Sequence, residues 1–226
     1  MDERILRVIS LEQLNKIKNL NILIVGLGGV GGSAFEALVR MGVQHITVID
    51  NDKFDISNLN RQVLSNLSNI GHFKANEALL RAKSINNDII VDSREMFLDE
   101  SNFKELEISK YDYVLDCCDT VNTKLLLIKE CLSNNINIIS AMGTGNRLDP
   151  TQLEIANIWK TSGDPLAKKM RKLLKDNRIN KKVNVVYSKE IPVKVSSPVG
   201  STSLVPNVAG YYMAGYVIND VLKKGD

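Results

Sequence analysis

Residues 21–31 read Asn-Ile-Leu-Ile-Val-Gly-Leu-Gly-Gly-Val-Gly, an apolar run that leads directly into a glycine-rich turn. The apolar run has the composition of a buried strand, and residues 29–41 have that of a helix with small residues in its first turn. Glycines in such a turn let backbone amides approach a phosphate at the helix N-terminus. The stretch therefore predicts a strand-turn-helix unit that binds a nucleotide through Gly26, Gly28, Gly29 and Gly31.

Strands and helices alternate through the next part of the sequence. Four more apolar segments predict strands at residues 44–50, 89–91, 111–116 and 136–140, with helices predicted at residues 73–85 and 123–133. This alternation is typical of an α/β protein with a Rossmann-like, doubly wound and mainly parallel sheet, whose ligand lies at the carboxyl ends of the strands. Outside it we predict a short helix at residues 11–20, added C-terminal strands at residues 153–158, 183–187 and 191–195, and a closing helix at residues 207–223.

Length and composition restrict the class of protein. The chain has 226 residues, of which 44% are hydrophobic and 24% charged, and these values exclude collagen-like, coiled-coil and wholly disordered chains. At roughly 150 residues per domain, and without an internal repeat, residues 1–226 are expected to form a single domain. The sequence has no uninterrupted apolar segment of spanning length and no secretion signal after its charged start, so we expect a cytoplasmic protein. Its three cysteines form no Cys-x-x-Cys pair, which excludes a disulfide scaffold.

The positive charge is concentrated in one segment. The net charge is only +3, yet residues 168–182 contain eight basic residues and a single acid, Asp176. The spacing predicts an amphipathic helix here, with Asp164 as its N-cap and Pro165 as its first residue. Such a charge run is commonly just the solvated face of a helix, and the other interpretation is that it binds a polyanion. The candidate contacts are Lys168, Lys169, Arg171, Lys172 and Lys175.

Three further features indicate phosphate chemistry. Asp50 ends the second predicted strand, where a carboxylate can accept hydrogen bonds from ribose hydroxyls, as it would for NAD as well. Arg61 and Lys74 follow, and two cations near a nucleotide favour a triphosphate over a hydride carrier, because cleavage between phosphates needs its charge neutralised. Asp116 ends the fourth predicted strand and Asp119 follows three residues later, at a sheet edge where Mg²⁺ can bind among phosphates. Taken singly, the two cations are also explained as surface residues, and Asp119 as a helix cap.

Five motifs together resemble the ubiquitin-activating-enzyme-like adenylyltransferases, which include the activators of sulfur-carrier proteins. They are residues 26–31 (Gly-Leu-Gly-Gly-Val-Gly), 50–52 (Asp-Asn-Asp), 57–62 (Ser-Asn-Leu-Asn-Arg-Gln), 71–74 (Gly-His-Phe-Lys) and 116–119 (Asp-Cys-Cys-Asp). The resemblance implies ATP and Mg²⁺ as cofactors and a nucleotide site that includes Asp52. It also implies that Asp50 holds the ribose, Lys74 bridges phosphates and Asp119 holds Mg²⁺, with further phosphate contacts from Asn58, Arg61 and Gln62.

The same resemblance implies a homodimer. In this family an N-terminal arginine reaches into the neighbouring site, and Arg7 best matches that position, with Arg4 as the alternative. The implied catalytic residues are therefore Arg61, Lys74, Asp119 and Arg7. A sulfur-relay protein as an additional partner stays an open question at this point.

Two further motifs resemble one group within that family, the tRNA threonylcarbamoyladenosine dehydratases. They are residues 148–153 (Leu-Asp-Pro-Thr-Gln-Leu) and 160–171 (Lys-Thr-Ser-Gly-Asp-Pro-Leu-Ala-Lys-Lys-Met-Arg). The resemblance implies an enzyme that uses ATP to cyclise N6-threonylcarbamoyladenosine, beside the anticodon, into its oxazolone form. The predicted basic helix lies within the second motif, so a tRNA contact there is supported both by charge and by resemblance.

An ATP-dependent dehydration of a carboxylate indicates an acyl-adenylate, because oxide is a very poor leaving group. Arg61, Lys74 and Mg²⁺ near Asp119 would stabilise charge on the phosphates. Ring closure within one molecule gains from proximity and requires no covalent enzyme intermediate. We therefore expect Cys117 and Cys118 to be packing residues.

Two other functions remain open from the sequence. One is adenylyl transfer to the C-terminal Gly-Gly of a sulfur-carrier protein. Members of that branch commonly carry two Cys-x-x-Cys pairs and a downstream reactive cysteine, whereas the last cysteine here is Cys131. The other belongs to a different class, and is either a nucleotide-binding module without chemistry or an NAD-dependent oxidoreductase. Arg61 and Lys74 argue against the module and against the oxidoreductase.

Overall fold

The computed structural model describes residues 2–194 and 199–223. These residues form one seven-stranded sheet with helices packed on it. The strands are β1 (Asn21–Val25), β2 (His45–Ile49), β3 (Ile90–Arg94), β4 (Tyr113–Asp116), β5 (Asn137–Ala141), β6 (Leu153–Asn157) and β7 (Asn184–Ser188). The helices are α1 (Asp2–Ile5), α2 (Leu11–Lys18), α3 (Gly29–Arg40), α4 (Lys74–Ile85), α5 (Val121–Ser133), α6 (Pro165–Asp176) and α7 (Leu204–Lys223). Among these residues, no helix combines the length and the apolar character needed to cross a membrane.

The strand order is β3-β2-β1-β4-β5-β7-β6, and every neighbouring pair is parallel except β6 and β7. The chain leaves β1 toward β2 and β3 and then returns to β4 on the other side of β1. The loops after β1 and β4 therefore diverge and leave a crevice at the carboxyl ends of the strands. The predicted Rossmann-like, doubly wound and mainly parallel sheet is confirmed, including the added C-terminal strands β6 and β7 and the closing helix.

Helices cover both faces of the sheet because its central strands are apolar on both faces. In β1, Ile22 and Ile24 belong to the core that includes α3 and α7, whereas Leu23 and Val25 belong to the core that includes α5 and α6. All four side chains are buried. Burial on both faces is typical of parallel strands and explains why this strand was recognisable as a continuous apolar run.

Helices α3 and α7 cross at very short range. A Cβ atom on Gly210 of α7 would lie only 2.3 Å from the carbonyl oxygen of Val30 in α3, so this position requires glycine. Pro206, in the first turn of α7, consequently lies against Gly29, where an added Cβ would be 3.1 Å from the proline Cβ. The crossing thus brings the start of α7 beside the glycine-rich turn.

Most predicted elements differ from the structure by one to three residues at an end, and two predicted strands differ in a way that has a physical cause. The third strand extends to Arg94 rather than ending at residue 91, because an edge strand does not need an apolar sequence to pair with β2. Residues 191–194 form no strand, and Val195 lies outside the described residues, so the strand predicted at residues 191–195 is wrong in its described part. Pro192 has no amide hydrogen, and the amide of Val193 donates to the carbonyl of Asn146 (2.8 Å), in the loop after β5.

Candidate nucleotide-binding and active site

A cavity of about 350 Å³ opens at the carboxyl ends of β1, β2 and β4. It is lined by ten of the eleven residues predicted to bind the nucleotide, namely Gly26, Gly28, Gly29, Asp50, Asp52, Asn58, Arg61, Gln62, Lys74 and Asp119. The eleventh, Gly31, lies behind the turn, where an added Cβ would be 1.8 Å from the carbonyl oxygen of Gly26. Gly31 therefore allows α3 to pack closely against the turn and does not face the cavity.

The glycine-rich turn is held against the ends of two neighbouring strands. Gly26 has a φ of +89°, and a Cβ there would lie 2.9 Å from the carbonyl of Cys117, after β4. Its amide donates to the carbonyl of Ile49, at the end of β2 (2.8 Å). Gly28 then caps α3 without a side chain, so the first amides of this helix are uncovered at the cavity. Uncovered amides at a helix N-terminus are a binding site for phosphate.

Asp50 is fixed in place by the backbone around it. Its Oδ2 accepts a hydrogen bond from the amide of Leu27 (2.6 Å), and its Oδ1 accepts one from the amide of Asp52 (2.8 Å). Burial raises the pKa of Asp50, and the nearby charge of Lys74 partly opposes this rise. The carboxylate thus connects the end of β2 to the glycine-rich turn and faces the cavity from a defined position.

The two predicted cations are both held in place within the cavity wall. Lys74 is only 5% exposed, and its Nζ lies 3.0 Å from Oδ2 of Asp52. The half-buried Arg61 donates from Nη1 to the carbonyl of Ser57 (2.7 Å) and to Oδ1 of Asn60 (2.9 Å). Each cation is therefore held in position by neighbouring residues of the chain.

Two amide side chains lie beside these cations. Asn58 is buried in a short 3-10 turn, and its Oδ1 accepts a hydrogen bond from the amide of Asp55 (3.1 Å). Gln62 is 6% exposed, and its buried Oε1 has no hydrogen-bond partner among the residues that the structure describes. An unsatisfied buried polar atom in a cavity wall is costly for folding and marks a position where a ligand or water completes the hydrogen bonding.

The carboxylates at the end of β4 differ from the prediction. Asp116 is fully buried, and both of its oxygens lie 3.1 Å from Nζ of Lys124, with a further hydrogen bond from the hydroxyl of Ser140. It is therefore unavailable to a ligand, and only Asp119, which is exposed and lines the cavity, remains at this edge. Sequence reasoning missed Lys124, whose only signal is a cation within the apolar stretch of α5.

The cysteines after β4 are not activated. Burial raises the pKa of Cys117 and of Cys118, and the adjacent charge of Asp116 raises both further. The buried Cys131 in α5 has its pKa raised to about 12, chiefly by burial. A thiol with a raised pKa stays protonated at neutral pH and is a poor nucleophile, which agrees with the expectation that these side chains serve packing.

Mg²⁺ is the metal that the predicted chemistry requires. Within residues 2–194 and 199–223, no group of three or more His, Cys, Asp and Glu side chains could hold a metal ion. Mg²⁺, however, is usually bound by only one or two carboxylates together with phosphate oxygens and water. The exposed carboxylate of Asp119, in the same cavity as Arg61 and Lys74, is a donor of this kind. The residues therefore fit an ion that binds together with a polyphosphate.

Sequence reasoning missed another part of the cavity wall. Met96, Phe97 and Leu98, which follow β3, line the cavity together with Thr144 after β5 and Ser201 before α7. The first three carry a recognisable signal, since they form an apolar triplet just beyond a strand. Thr144 and Ser201 carry none, because their loops reach the cavity only through the packing of segments distant in sequence.

The basic helix is formed as predicted. Asp164 caps α6 by accepting from the amide of Ala167 (2.9 Å), and Pro165 is its first residue. The apolar side of the helix is buried, and Lys168, Lys169, Lys172 and Lys175 are exposed on the other side. Arg171 differs from these lysines, since it is half-buried and donates from Nη1 to the carbonyl of Thr161 (3.0 Å).

The N-terminal arginines lie apart from the cavity of their own chain. Arg7 follows α1, is exposed and forms an ion pair with Glu3 (2.9 Å), and Arg4 is exposed as well. Neither lines the cavity.

Comparison with known proteins identifies the family. The model of the ThiF family matches residues 2–225. The tRNA threonylcarbamoyladenosine dehydratase of Bacillus subtilis is 39% identical over 95% of this chain and 92% of its own length. The Haemophilus influenzae protein of the same name is 31% identical over 96% of this chain and 92% of its own length.

Solved structures agree with the sequence relatives. The structure of the E. coli tRNA N6-threonylcarbamoyladenosine dehydratase TcdA in complex with ATP has a TM-score of 0.92 and 32% sequence identity, and the match covers 97% of this chain and 93% of that one. The E. coli MccB structure with ATP has a TM-score of 0.63 at 22% identity, which shows a shared fold alone. The chain thus belongs to the ThiF family and, within it, to the tRNA threonylcarbamoyladenosine dehydratases.

Proposed function

We propose that this protein uses ATP to dehydrate N6-threonylcarbamoyladenosine in tRNA, closing the threonylcarbamoyl group into a ring through an acyl-adenylate. The observation that carries the proposal is that Asp50, Arg61, Lys74 and Asp119 line one cavity at the carboxyl ends of the strands. Relatives that match this chain over almost their whole length bear the name of this activity, and a solved relative is an ATP complex.

ATP binds along the cavity in this proposal. The uncovered amides at the start of α3 and the side chains of Asn58 and Gln62 contact the phosphates. Asp50 accepts hydrogen bonds from the ribose hydroxyls. Met96 and Phe97 offer apolar surface to the base, and Phe97 is still 48% exposed, so it can stack on an aromatic ligand.

The first chemical step joins the substrate to AMP. A carboxylate oxygen of the threonyl group attacks the α-phosphorus of ATP, and the bond from that phosphorus to the oxygen bridging the α- and β-phosphates breaks. Pyrophosphate leaves with the bonding electrons. Arg61 and Lys74 stabilise the charge that grows on the phosphate oxygens, and because both are already held in position, little reorganisation accompanies the step.

The second step closes the ring. The carbamoyl oxygen attacks the activated carbonyl carbon and forms the new C–O bond of the oxazolone ring, a carbamoyl N–H loses its proton, and AMP leaves with the former carboxylate oxygen. The attacking and accepting atoms belong to one molecule, so proximity supplies the rate enhancement and no enzyme nucleophile is required. This agrees with the raised thiol pKa values of Cys117 and Cys118.

Asp119 would hold Mg²⁺ in this proposal. Bound there, the ion would neutralise phosphate charge during departure of pyrophosphate. The exposed carboxylate is available for this contact, in contrast to Asp116, which is engaged by Lys124.

The tRNA contact is assigned to α6. Its exposed lysines lie on one side of the helix and can approach successive phosphates, and Arg171 lies among them with part of its guanidinium group engaged by Thr161. The partner contacts proposed here are Lys168, Lys169, Arg171, Lys172 and Lys175. A tRNA substrate also implies the cytoplasm as the compartment.

The proposal includes a homodimer formed by single-domain chains of residues 1–226. Arg7, or Arg4 in its place, would act from the partner subunit, since neither lines the cavity of its own chain. Mixing a Lys74→Ala chain with an Arg7→Ala chain tests this directly. Recovery of activity in the mixture is expected for a shared site, and no recovery would contradict it.

The function is tested with purified protein, ATP, Mg²⁺ and tRNA bearing N6-threonylcarbamoyladenosine, followed by nuclease digestion and mass spectrometry of the nucleosides. We expect the modified nucleoside to lose the mass of one water, and Lys74→Ala to slow this loss by about 10²- to 10³-fold. Lys53→Ala is the matched control, because Lys53 is exposed, packs over the ring of Phe73 and does not line the cavity. Activity of the purified protein alone would also show that no sulfur-relay protein is needed.

A different outcome would favour another member of the family. If the nucleoside is unchanged while the protein exchanges pyrophosphate into ATP only after addition of a Gly-Gly-tailed carrier protein, the dehydratase proposal fails. The chain would then be an activator of a sulfur carrier, with the same residues serving ATP.

A further inference from the structure

The basic helix and the wall of the nucleotide cavity share one carboxylate. Oδ1 of Asp164 accepts a hydrogen bond from the amide of Ala167 (2.9 Å) in the first turn of α6, and Oδ2 accepts one from the amide of Gly143 (3.1 Å). Asp164 is 2% exposed. Thr144, the residue after Gly143, lines the cavity. A single buried side chain therefore joins the start of α6 to the loop after β5.

Arg147 extends this connection to the other side of the loop. Its Nη1 lies 3.2 Å from Oδ2 of Asp164, and its Nε donates to the carbonyl of Glu190 (3.0 Å), which follows β7. The carboxylate of Glu190 accepts hydrogen bonds from the amides of Leu148 and Asp149. The loop after β5 is thus held between α6 and the segment that follows β7.

The ion pair between Arg147 and Asp164 does not have the geometry that would stabilise the fold most. Arg147 is 2% exposed, and within residues 2–194 and 199–223 its buried Nη2 has no hydrogen-bond partner. A buried ion pair recovers the free energy lost on leaving water only when its geometry is good and its remaining donors are satisfied. What this pair provides is a fixed distance between the helix and the loop.

We propose that Arg147 and Asp164 are positioning residues for the RNA-dependent step. They hold α6, with Lys168 and Lys169 in its first half, at a fixed place relative to Thr144, so that RNA bound on the helix presents its modified nucleoside to the cavity. The inference rests on the proposed function, because it takes RNA as the ligand of α6. Neither residue lines the cavity, so both act through the elements they hold.

Three substitutions separate positioning from folding. Asp164→Asn keeps a side-chain oxygen that can cap α6 but removes the charge that faces Arg147. Arg147→Met removes the guanidinium group, and Arg147→Lys keeps a cation. The matched control is Asp149→Asn, because Asp149 also caps a short turn, through the amide of Thr151 (2.9 Å), and belongs to the same loop.

Single-turnover dehydration at saturating ATP and tRNA is the first measurement. We expect Asp164→Asn and Arg147→Met to slow this step by about tenfold or more, since a small misplacement of reacting groups has effects of this size. ATP affinity and tRNA affinity should stay near those of the control when they are measured well below the melting temperature, which breaking this buried pair lowers, and Arg147→Lys should recover most of the rate. Equal losses of rate, ATP affinity and folded protein would show a purely structural role and overturn the inference, as would an unchanged rate.

Hydrogen exchange provides a second measurement that needs no turnover. In the unsubstituted protein, tRNA should slow amide exchange both on α6 and at Gly143 and Thr144, whereas in Asp164→Asn only α6 should respond. If the unsubstituted protein shows this coupling but does not dehydrate its tRNA, the proposed function fails, and with it the role in that step, while the coupling of α6 to the loop at Thr144 remains. If dehydration occurs and the loop does not respond to tRNA, the inference fails alone.

Discussion

The nucleotide cavity and helix α6 both carry positive charge, but they hold it in different ways. Lys74 is 5% exposed and forms an ion pair with Asp52, and Arg61 is tied to the backbone of Ser57. The lysines of α6 are exposed to solvent. Charges in fixed, poorly hydrated positions act strongly on one nearby atom, whereas exposed charges are screened and act jointly. Single substitutions should therefore have large effects near the cavity, and only combined substitutions should have them on α6.

A deeply buried cation should contribute more to the stability of the fold than an exposed cation does. Lys124 is 1% exposed and pairs with Asp116, so Lys124→Met leaves a buried carboxylate without its counter-ion. We expect the free energy of unfolding to fall by about 4 kcal/mol, measured by urea denaturation. Lys129→Met, an exposed position on the same helix, is the control and should change little. Equal stability of the two variants would show that burial does not determine how much a cation of this fold contributes to stability.

Lys74→Ala tests whether a cation fixed in the cavity wall contributes to catalysis. The rate of dehydration should fall by about 10²- to 10³-fold, because a preorganised charge near the reacting phosphate is lost. The comparison in the same assay is Lys53→Ala, which should keep nearly full activity. A loss confined to KM for ATP, with kcat unchanged, would assign Lys74 to binding alone.

On α6 the effect should appear only when charges are removed together. Replacing Lys168, Lys169, Lys172 and Lys175 by Gln should weaken tRNA binding and leave ATP binding unchanged. The slope of log K against log salt should become shallower by about 0.7 to 0.9 for each phosphate that the helix no longer neutralises. Removing Lys104, Lys110 and Lys129, which are exposed elsewhere, should leave the slope as it was. An unchanged slope for the α6 variant would show that this helix is only a solvated face.

The smallest expected effect concerns the buried carboxylate at the ribose position. Because burial raises the pKa of Asp50, this group takes up a proton at a higher pH than an exposed aspartate. Protonation removes an acceptor for the ribose, so the Kd for ATP should rise as the pH falls, by less than about tenfold. The phosphates of ATP titrate in the same way when the Asp50→Asn variant is used. The plot of Kd against pH for this variant should therefore be flatter, by the amount that Asp50 contributes. Identical plots of Kd against pH for the two proteins would contradict the assignment of Asp50 to the ribose.

The parts of the fold that could be predicted are those whose signal is local. The apolar run of β1 and the turn at Gly26 were recognisable from their own residues. Helix α6 is capped by Asp164 and begins at Pro165, as these residue types indicate, and it has the predicted apolar stripe. The motif residues reach one cavity because the carboxyl ends of parallel strands meet at one edge. Sequence spacing was sufficient for these features.

The missed features depend on contacts between distant segments. The sequence indicates that Asp116 ends a strand, but only packing shows that Lys124 neutralises it and withdraws it from the site. The apolar residues at 191–195 resembled a strand, yet Val193 pairs with the loop at Asn146. Thr144 and Ser201 enter the cavity wall for the same reason, because loops from separate parts of the chain meet there.

The close crossing of α7 over α3 has a consequence for synthesis on the ribosome. The glycine-rich turn emerges early, but the Pro206 side of the cavity is translated late, and Gly210 must reach Val30 before that wall exists. A nascent chain that has completed the first sheet strands therefore lacks a finished nucleotide site, and the apolar face of α3 awaits its cover. Nucleotide can therefore stabilise the complete cavity only after α7 has been translated and packed on α3.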